Sequence, residues 1–102
     1  MVAKKHDSEE SKFRPPDEGE ILGVIVSFLG FDRAKVKCVD GYVRICRIPG
    51  KYRKRLWFRE GDIVSIVPWD FQPDSKGDIV WRYEKSDVER LRNEGFLPKD
   101  FE

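Results

Sequence analysis

The chain has 102 residues, of which 38% are charged, 39% hydrophobic and 13% aromatic, which is enough for one domain but too few for two with separate cores. Its formal net charge of +1 excludes a uniform polycation. No apolar stretch approaches the roughly 20 residues needed to span a bilayer, and no secretory signal pattern opens the chain, so a soluble, cytoplasmic protein is expected.

The charge is strongly segregated. Residues 1–32 carry four basic and seven acidic groups, residues 33–59 carry ten and one, and residues 60–102 carry six and eleven. A middle third at +9 between acidic flanks is the footprint of a polyanion-binding patch, since clustering governs such binding more than the global balance.

Residues 1–18 hold few apolar groups and end near Pro15 and Pro16, which predicts a disordered, flexible N-terminal tail. Residues 20–29 form a β-branched, apolar run with Gly23 inside it, predicting a first strand with a bend or bulge at that glycine. Residues 33–39 alternate, with Ala34, Val36 and Cys38 on one face and Arg33, Lys35 and Lys37 on the other, as in a half-buried second strand. Asp40-Gly41 predicts a two-residue type I′ hairpin leading into a third strand at 42–48, whose faces the pattern leaves open.

Pro49-Gly50 ends that strand. Residues 51–60 then form a basic connector with room for one helical turn. A fourth strand is expected at 63–69 and a fifth at 78–84, the latter with Ile79, Trp81 and Tyr83 on one face and Trp69 and Trp81 in the core. Ser86 and Glu89 have capping-box spacing, predicting a helix from about Asp87 to Glu94, stopped by Gly95 and docked through Val88, Leu91, Phe96 and Leu97.

Five short strands with the longest connection between the third and fourth predict a mainly β fold, the five-stranded Greek-key barrel of the OB-fold with a short C-terminal helix. An SH3-like barrel is the rival.

Catalytic chemistry finds little support. The only histidine, His6, lies in the tail, so no His-assisted nucleophile or His-metal set can assemble in the folded part. Asp70, Asp74 and Asp78 do not have calcium-loop spacing, and Gly50-Lys51 fails as a phosphate loop because Tyr52 and Ile45 replace required residues. Cys38 and Cys46 read as reduced thiols within strands. No enzyme activity, cofactor or metal is expected.

The positive signal is Arg44, Arg47, Lys51, Arg53, Lys54, Arg55 and Arg59, interleaved with Tyr52, Trp57 and Phe58. Guanidinium groups offer forked donors to phosphate and aromatic rings offer stacking faces, a combination suited to RNA. With Arg33, Lys35 and Lys37 they make the candidate RNA-binding set, Trp57 being the candidate stacking contact. A barrel that binds an acidic protein partner is the alternative.

The run Asp40-Gly41, Arg44, Cys46, Ile48, Gly50-Lys51, Arg53-Lys54 and Trp57, followed by Asp62-Ile63-Val64, Asp70, Gln72, Ile79-Val80, Tyr83, Leu91, Gly95 and Leu97-Pro98, resembles translation initiation factor 1A. The resemblance covers residues 19–98 and is closest to the archaeal type. It implies an S1-like OB barrel over 19–85 with a helix and short tail over 86–102. It also implies binding to small-subunit rRNA at the decoding A site as a monomer, alongside other initiation factors, initiator tRNA and mRNA, with no membrane partner.

Overall fold

The computed structural model describes residues 13–30, 32–50 and 58–99 together with Phe101. Among the described residues, strands β1 (Ile21–Phe28), β2 (Arg33–Cys38), β3 (Val43–Arg47), β4 (Ile63–Pro68) and β5 (Lys76–Arg82) precede a helix, α1 (Lys85–Asn93). The strands close into a barrel in the order β1-β2-β3-β5-β4, with β3 and β5 parallel and every other pair antiparallel. This is the OB-fold expected from the strand count.

Two apolar clusters explain why β1 and β4 read as continuous hydrophobic runs. The barrel interior holds Ile25, Ala34, Val36, Cys38, Cys46, Ile48, Val64, Ile66 and Ile79. A second cluster, Leu22, Val24, Ile63, Tyr83, Leu91 and Leu97, lies outside the barrel, between the β1–β4 wall and α1. Leu22 and Val24 alternate with the inward Gly23 and Ile25, so β1 is buried on both faces, as a strand without polar alternation must be. The helix therefore covers an outer wall.

Gly23 is paired regularly to both Cys38 and Val64, and a Cβ there would sit 2.5 Å from Val36 Cγ1 and 3.0 Å from the Lys37 carbonyl oxygen. It serves close approach to the adjacent strand β2, not the bulge expected of it. The bulge falls at Val26, which the β1–β2 register skips and which points to solvent.

Other boundaries and faces move for local reasons. The β2–β3 hairpin is a turn closed by the Gly41 N–H donating to the Cys38 carbonyl at 3.0 Å. Only Gly41 takes a positive φ, +96°, while Asp40 does not. The connection is thus a three-residue loop with a glycine bulge, not the type I′ turn expected. In β3, Arg44 and Cys46 face inward and Val43, Ile45 and Arg47 outward. Strand β5 starts two residues early, at Lys76, where it runs beside β3. Val80 is then an extra residue opposite β4, which breaks the alternation and leaves Trp81 37% exposed instead of buried as expected. Trp69 is half-buried, its indole N–H donating to Asp78 at 3.0 Å.

The helix cap shifts two residues upstream of the expected Ser86–Glu89 pair but keeps its spacing: Glu84 is the N-cap, and its N–H donates to the Asp87 carboxylate at 3.4 Å. At the other end Gly95 adopts φ +87°, and the Phe96 N–H returns to the Leu91 carbonyl at 2.9 Å, which buries Leu97 in the outer cluster but leaves the Phe96 ring exposed and not docked as expected. Of the stretch read as a tail, residues 1–12 lie outside the described residues, whereas Phe13 and Arg14 pack on the barrel. Phe13 packs on Tyr83 with ring centroids 6.4 Å apart, and Arg14 stacks over Trp81 at 4.8 Å while pairing with Glu20.

Candidate nucleic-acid interface

Because α1 occupies the β1–β4 wall, the outer wall of β2 and β3 is left open. Strand alternation lines it with Arg33, Lys35 and Lys37, all exposed, at intervals of roughly 7 Å along β2. Across the ladder they face Arg47, Ile45 and Val43 respectively. The wall thus presents cations beside apolar side chains, the mixture that suits phosphate and base together.

Arg33 and Lys35 form no ion pair among the described residues, and the Lys37 ammonium lies 5.9 Å from the Phe101 ring centroid. Arg47 is exposed but tethered: its Nε lies 3.2 Å from Asp78 Oδ1, and its Nη2 donates to Oδ2 at 3.3 Å. That tether holds the guanidinium at the end of the wall nearest the basic connector.

The connector enters at that same end. The Ile48 N–H donates to the Asp32 carbonyl at 2.9 Å, so the exit of β3 lies beside the start of β2. The chain returns at Phe58, which packs partly against the barrel interior, a structural role for a ring that also reads as a stacking candidate. Lys51, Arg53, Lys54, Arg55 and Trp57, and with them Tyr52, lie outside the described residues. Arg59 is exposed at the start of the turn into β4, where its N–H donates to Asp62 at 2.9 Å.

Arg44 is a correction. Its guanidinium, 2% exposed as a residue, donates to both carboxylate oxygens of Asp40 at 3.1 and 2.9 Å and through Nε to the Pro73 carbonyl at 2.6 Å. The bond from Arg44 holds the Asp40 carboxyl below its usual range, and the same pairing holds Arg44 firmly charged. An arginine buried this deeply, with three of its N–H groups bonded inside the fold, is not presented to a phosphate. It ties the β2–β3 turn to the β4–β5 loop instead.

Polar burial elsewhere is structural. Burial alone would raise the Glu20 carboxyl, but bonds from Arg14, Ser65 and the Asp17 N–H outweigh it and lower it. Burial pushes the Cys46 thiol up to about 12 and the Tyr83 hydroxyl to about 12. Among the described residues no three His, Cys, Asp or Glu side chains converge to hold a metal, and no helix there is long and apolar enough to cross a membrane.

Sequence reasoning overlooked three exposed side chains at the opposite end of the barrel: Tyr42, Val43 and Phe71. Phe71 had a signal, since a large aromatic stands alone in an otherwise polar loop. Tyr42 and Val43 had none, because the faces of β3 were unresolved in its pattern.

Residues 10–102 match the family model described as Translation initiation factor 1A / IF-1. A translation initiation factor 1A from Methanopyrus kandleri is 50% identical over 97 residues, covering 94% of this chain and 86% of its own. One from Pyrobaculum aerophilum is 53% identical over 89 residues, covering 87% of this chain and 77% of its own. Among solved structures, the solution structure of translation initiation factor IF-1 from a wolbachia endosymbiont of Brugia malayi is similar with a TM-score of 0.50 and 25% identity, covering 71% of this chain and 84% of that one.

Proposed function

Given that the chain belongs to the translation initiation factor 1A / IF-1 family, we propose that its β2–β3 wall and basic connector bind rRNA of the small ribosomal subunit near the decoding A site. Bound there, it assists the placement of initiator tRNA and mRNA. The observation that supports this reading most is the division of the barrel surface: α1 packs on the β1–β4 wall through Leu91, while Arg33, Lys35, Lys37 and Arg47 stand exposed on the β2–β3 wall. The strand 2–3 face is where OB-folds take oligonucleotides.

In this reading Arg33, Lys35, Lys37, Arg47, Lys51, Arg53, Lys54, Arg55 and Arg59 contact phosphate, and Trp57 stacks on a base. The protein acts as a cytoplasmic monomer, by binding and not by catalysis, together with the other initiation factors.

The test is the salt dependence of binding to purified small subunits. Four to six phosphate contacts at roughly 0.7 per contact give a slope of log affinity against log salt of about −3 to −5. A slope near zero overturns the electrostatic reading, and tight capture of an acidic protein with no subunit binding replaces it.

A further inference from the structure

Residues 13–16, Phe13-Arg14-Pro15-Pro16, are seated on β5 and α1 by side chains alone. Among the described residues none of the four enters a backbone hydrogen bond, and the two prolines have no N–H to offer. Phe13 contacts the Tyr83 ring and lies 4.5 Å below the Arg90 guanidinium, which is itself paired with Glu94 at 2.8 Å.

What Arg14 occupies is a built site. The Glu20 side chain, at the entry to β1, is only 9% exposed. Its Oε1 is taken up by the fold, accepting from the Ser65 hydroxyl at 2.7 Å and the Asp17 N–H at 3.1 Å. Its Oε2 is left for Arg14 Nη2, while the same guanidinium lies 4.8 Å from the centre of the Trp81 ring. A buried carboxylate oxygen beside an aromatic face suits a planar, weakly hydrated guanidinium better than an ammonium. The Tyr83 hydroxyl and Arg14 Nη1, both buried, close no hydrogen bond among the described residues, so Arg14 leaves part of the polar capacity of this notch unused.

The turn between the segment and β1 belongs to the barrel. The Glu20 N–H donates to the Asp17 carbonyl at 3.0 Å, and Gly19 takes φ +88°, which a glycine adopts without strain. A segment held by one ion pair and a few ring contacts, and joined to such a turn, can lift away while β1 stays in register. The charge around the notch is acidic: Asp17 and Glu18 lie on the turn, and Asp87 in the first turn of α1 acts electrostatically on Tyr83. Such a surround repels a phosphate backbone and complements a basic segment.

We propose that residues 13–16 are a displaceable strap, and that the notch they cover, formed by Glu20, Trp81 and Tyr83, binds an arginine of a partner protein segment in which an aromatic residue precedes that arginine. The chain's own Phe13-Arg14 is then the intramolecular competitor, and the partner meets the notch only in the fraction of molecules whose strap is open. The notch is separate from the β2–β3 wall, and its occupancy does not depend on RNA binding.

The experiment supplies the strap in trans. The host is the full chain carrying Phe13→Ala with Arg14→Ala, the probe is a synthetic peptide of residues 10–18, and the readout is the Trp81 indole N–H resonance, identified by its loss in Trp81→Phe. Saturable peptide-induced shifts are expected, with affinity about tenfold lower or worse for the same peptide carrying Arg14→Lys, and no binding when Glu20→Gln is added to the host. The wild-type chain, its notch filled, should bind the peptide at least about tenfold more weakly than the double variant. Arg14→Ala alone, which keeps the Phe13 contact, is a second host expected to fall between the two. The absence of a saturable shift in either host, equal affinity of the lysine peptide, or equal affinity of the wild-type chain overturns the proposal. A wild-type dimer at high concentration that disappears in Arg14→Ala also overturns it, by assigning the notch to a second copy of this chain.

Discussion

Arg33 and Arg47 are direct register partners across the β2–β3 ladder, both pointing outward. Like charges in that relation are destabilising, and Asp78 relieves only Arg47. A fold selected for stability alone would place opposite charges there. Arg33→Glu should therefore raise unfolding free energy by about 0.5 kcal/mol in urea titrations. It should also lower small-subunit affinity and reduce the magnitude of the salt slope by about 0.7. Lower stability with unchanged affinity would mean that the pair is ornamental.

Arg44 behaves oppositely. Removing it strands Asp40 and the Pro73 carbonyl, so Arg44→Ala should cost about 2–3 kcal/mol, whereas Lys35→Ala should stay within about 0.5 kcal/mol. Chemical denaturation of the two variants checks this. Equal small losses would return Arg44 to the surface set.

The contrast between these two arginines shows what the pattern of residues could and could not convey. The exposed cations of β2 were legible because Arg33, Lys35 and Lys37 alternate strictly with Ala34, Val36 and Cys38. Arg44 was not, because its inward position depends on a carbonyl 29 residues away at Pro73, and no local period encodes such a partner. The barrel itself was visible in strand count and turn residues. The two bulges at Val26 and Val80 were not, since each is a mismatch between strands and belongs to neither one. The start of β5 was hidden for a related reason: Lys76-Gly77-Asp78 has poor strand propensity and is held extended by its parallel partner, β3.

The buried carboxylate and thiol predict both limbs of the pH–stability curve. Glu20 and Asp40 are lowered in the fold from 4.5 and 3.8. Their contribution is complete above those unfolded values and is lost as pH falls below them through the folded ones. Cys46 is raised from 9.0 to about 12, so its contribution is complete below pH 9 and lost as pH rises from there toward 12. Thermal midpoints measured across pH should fall on both sides, with Glu20→Gln flattening the acid limb and Cys46→Ala the alkaline one. Unaltered slopes in these variants would show that other groups control the titration.

Gly23→Ala tests the close approach between β1 and β2. The new methyl meets Val36 Cγ1 at 2.5 Å, and the Lys37 carbonyl behind it leaves little room to relax. Overpacking of this kind costs about 1–3 kcal/mol. Combining it with Val36→Ala should recover part of the loss, giving a positive coupling in a double-mutant cycle. Strict additivity would place the strain in the backbone.

The helix offers a test of whether the outer wall is part of the core. Leu91 is fully buried among Leu22, Val24, Ile63 and Tyr83, while Val88, its neighbour one turn earlier, lines a groove of about 600 Å³ between α1 and the barrel and is only half-buried. Although the two sit three residues apart on one face, they should differ sharply on truncation. Leu91→Ala is expected to cost about 2–4 kcal/mol, since it removes a buried side chain from a site fixed by two strands, and Val88→Ala about 1 kcal/mol. Deleting residues 85–102 uncovers the whole wall and should leave no cooperative unfolding transition, because Leu22, Val24 and Ile63 then face water on a barrel of this size. A truncated barrel that melts cooperatively near the wild-type midpoint would show that α1 is an appendage, and that β1 is apolar on its outer face for some purpose other than packing.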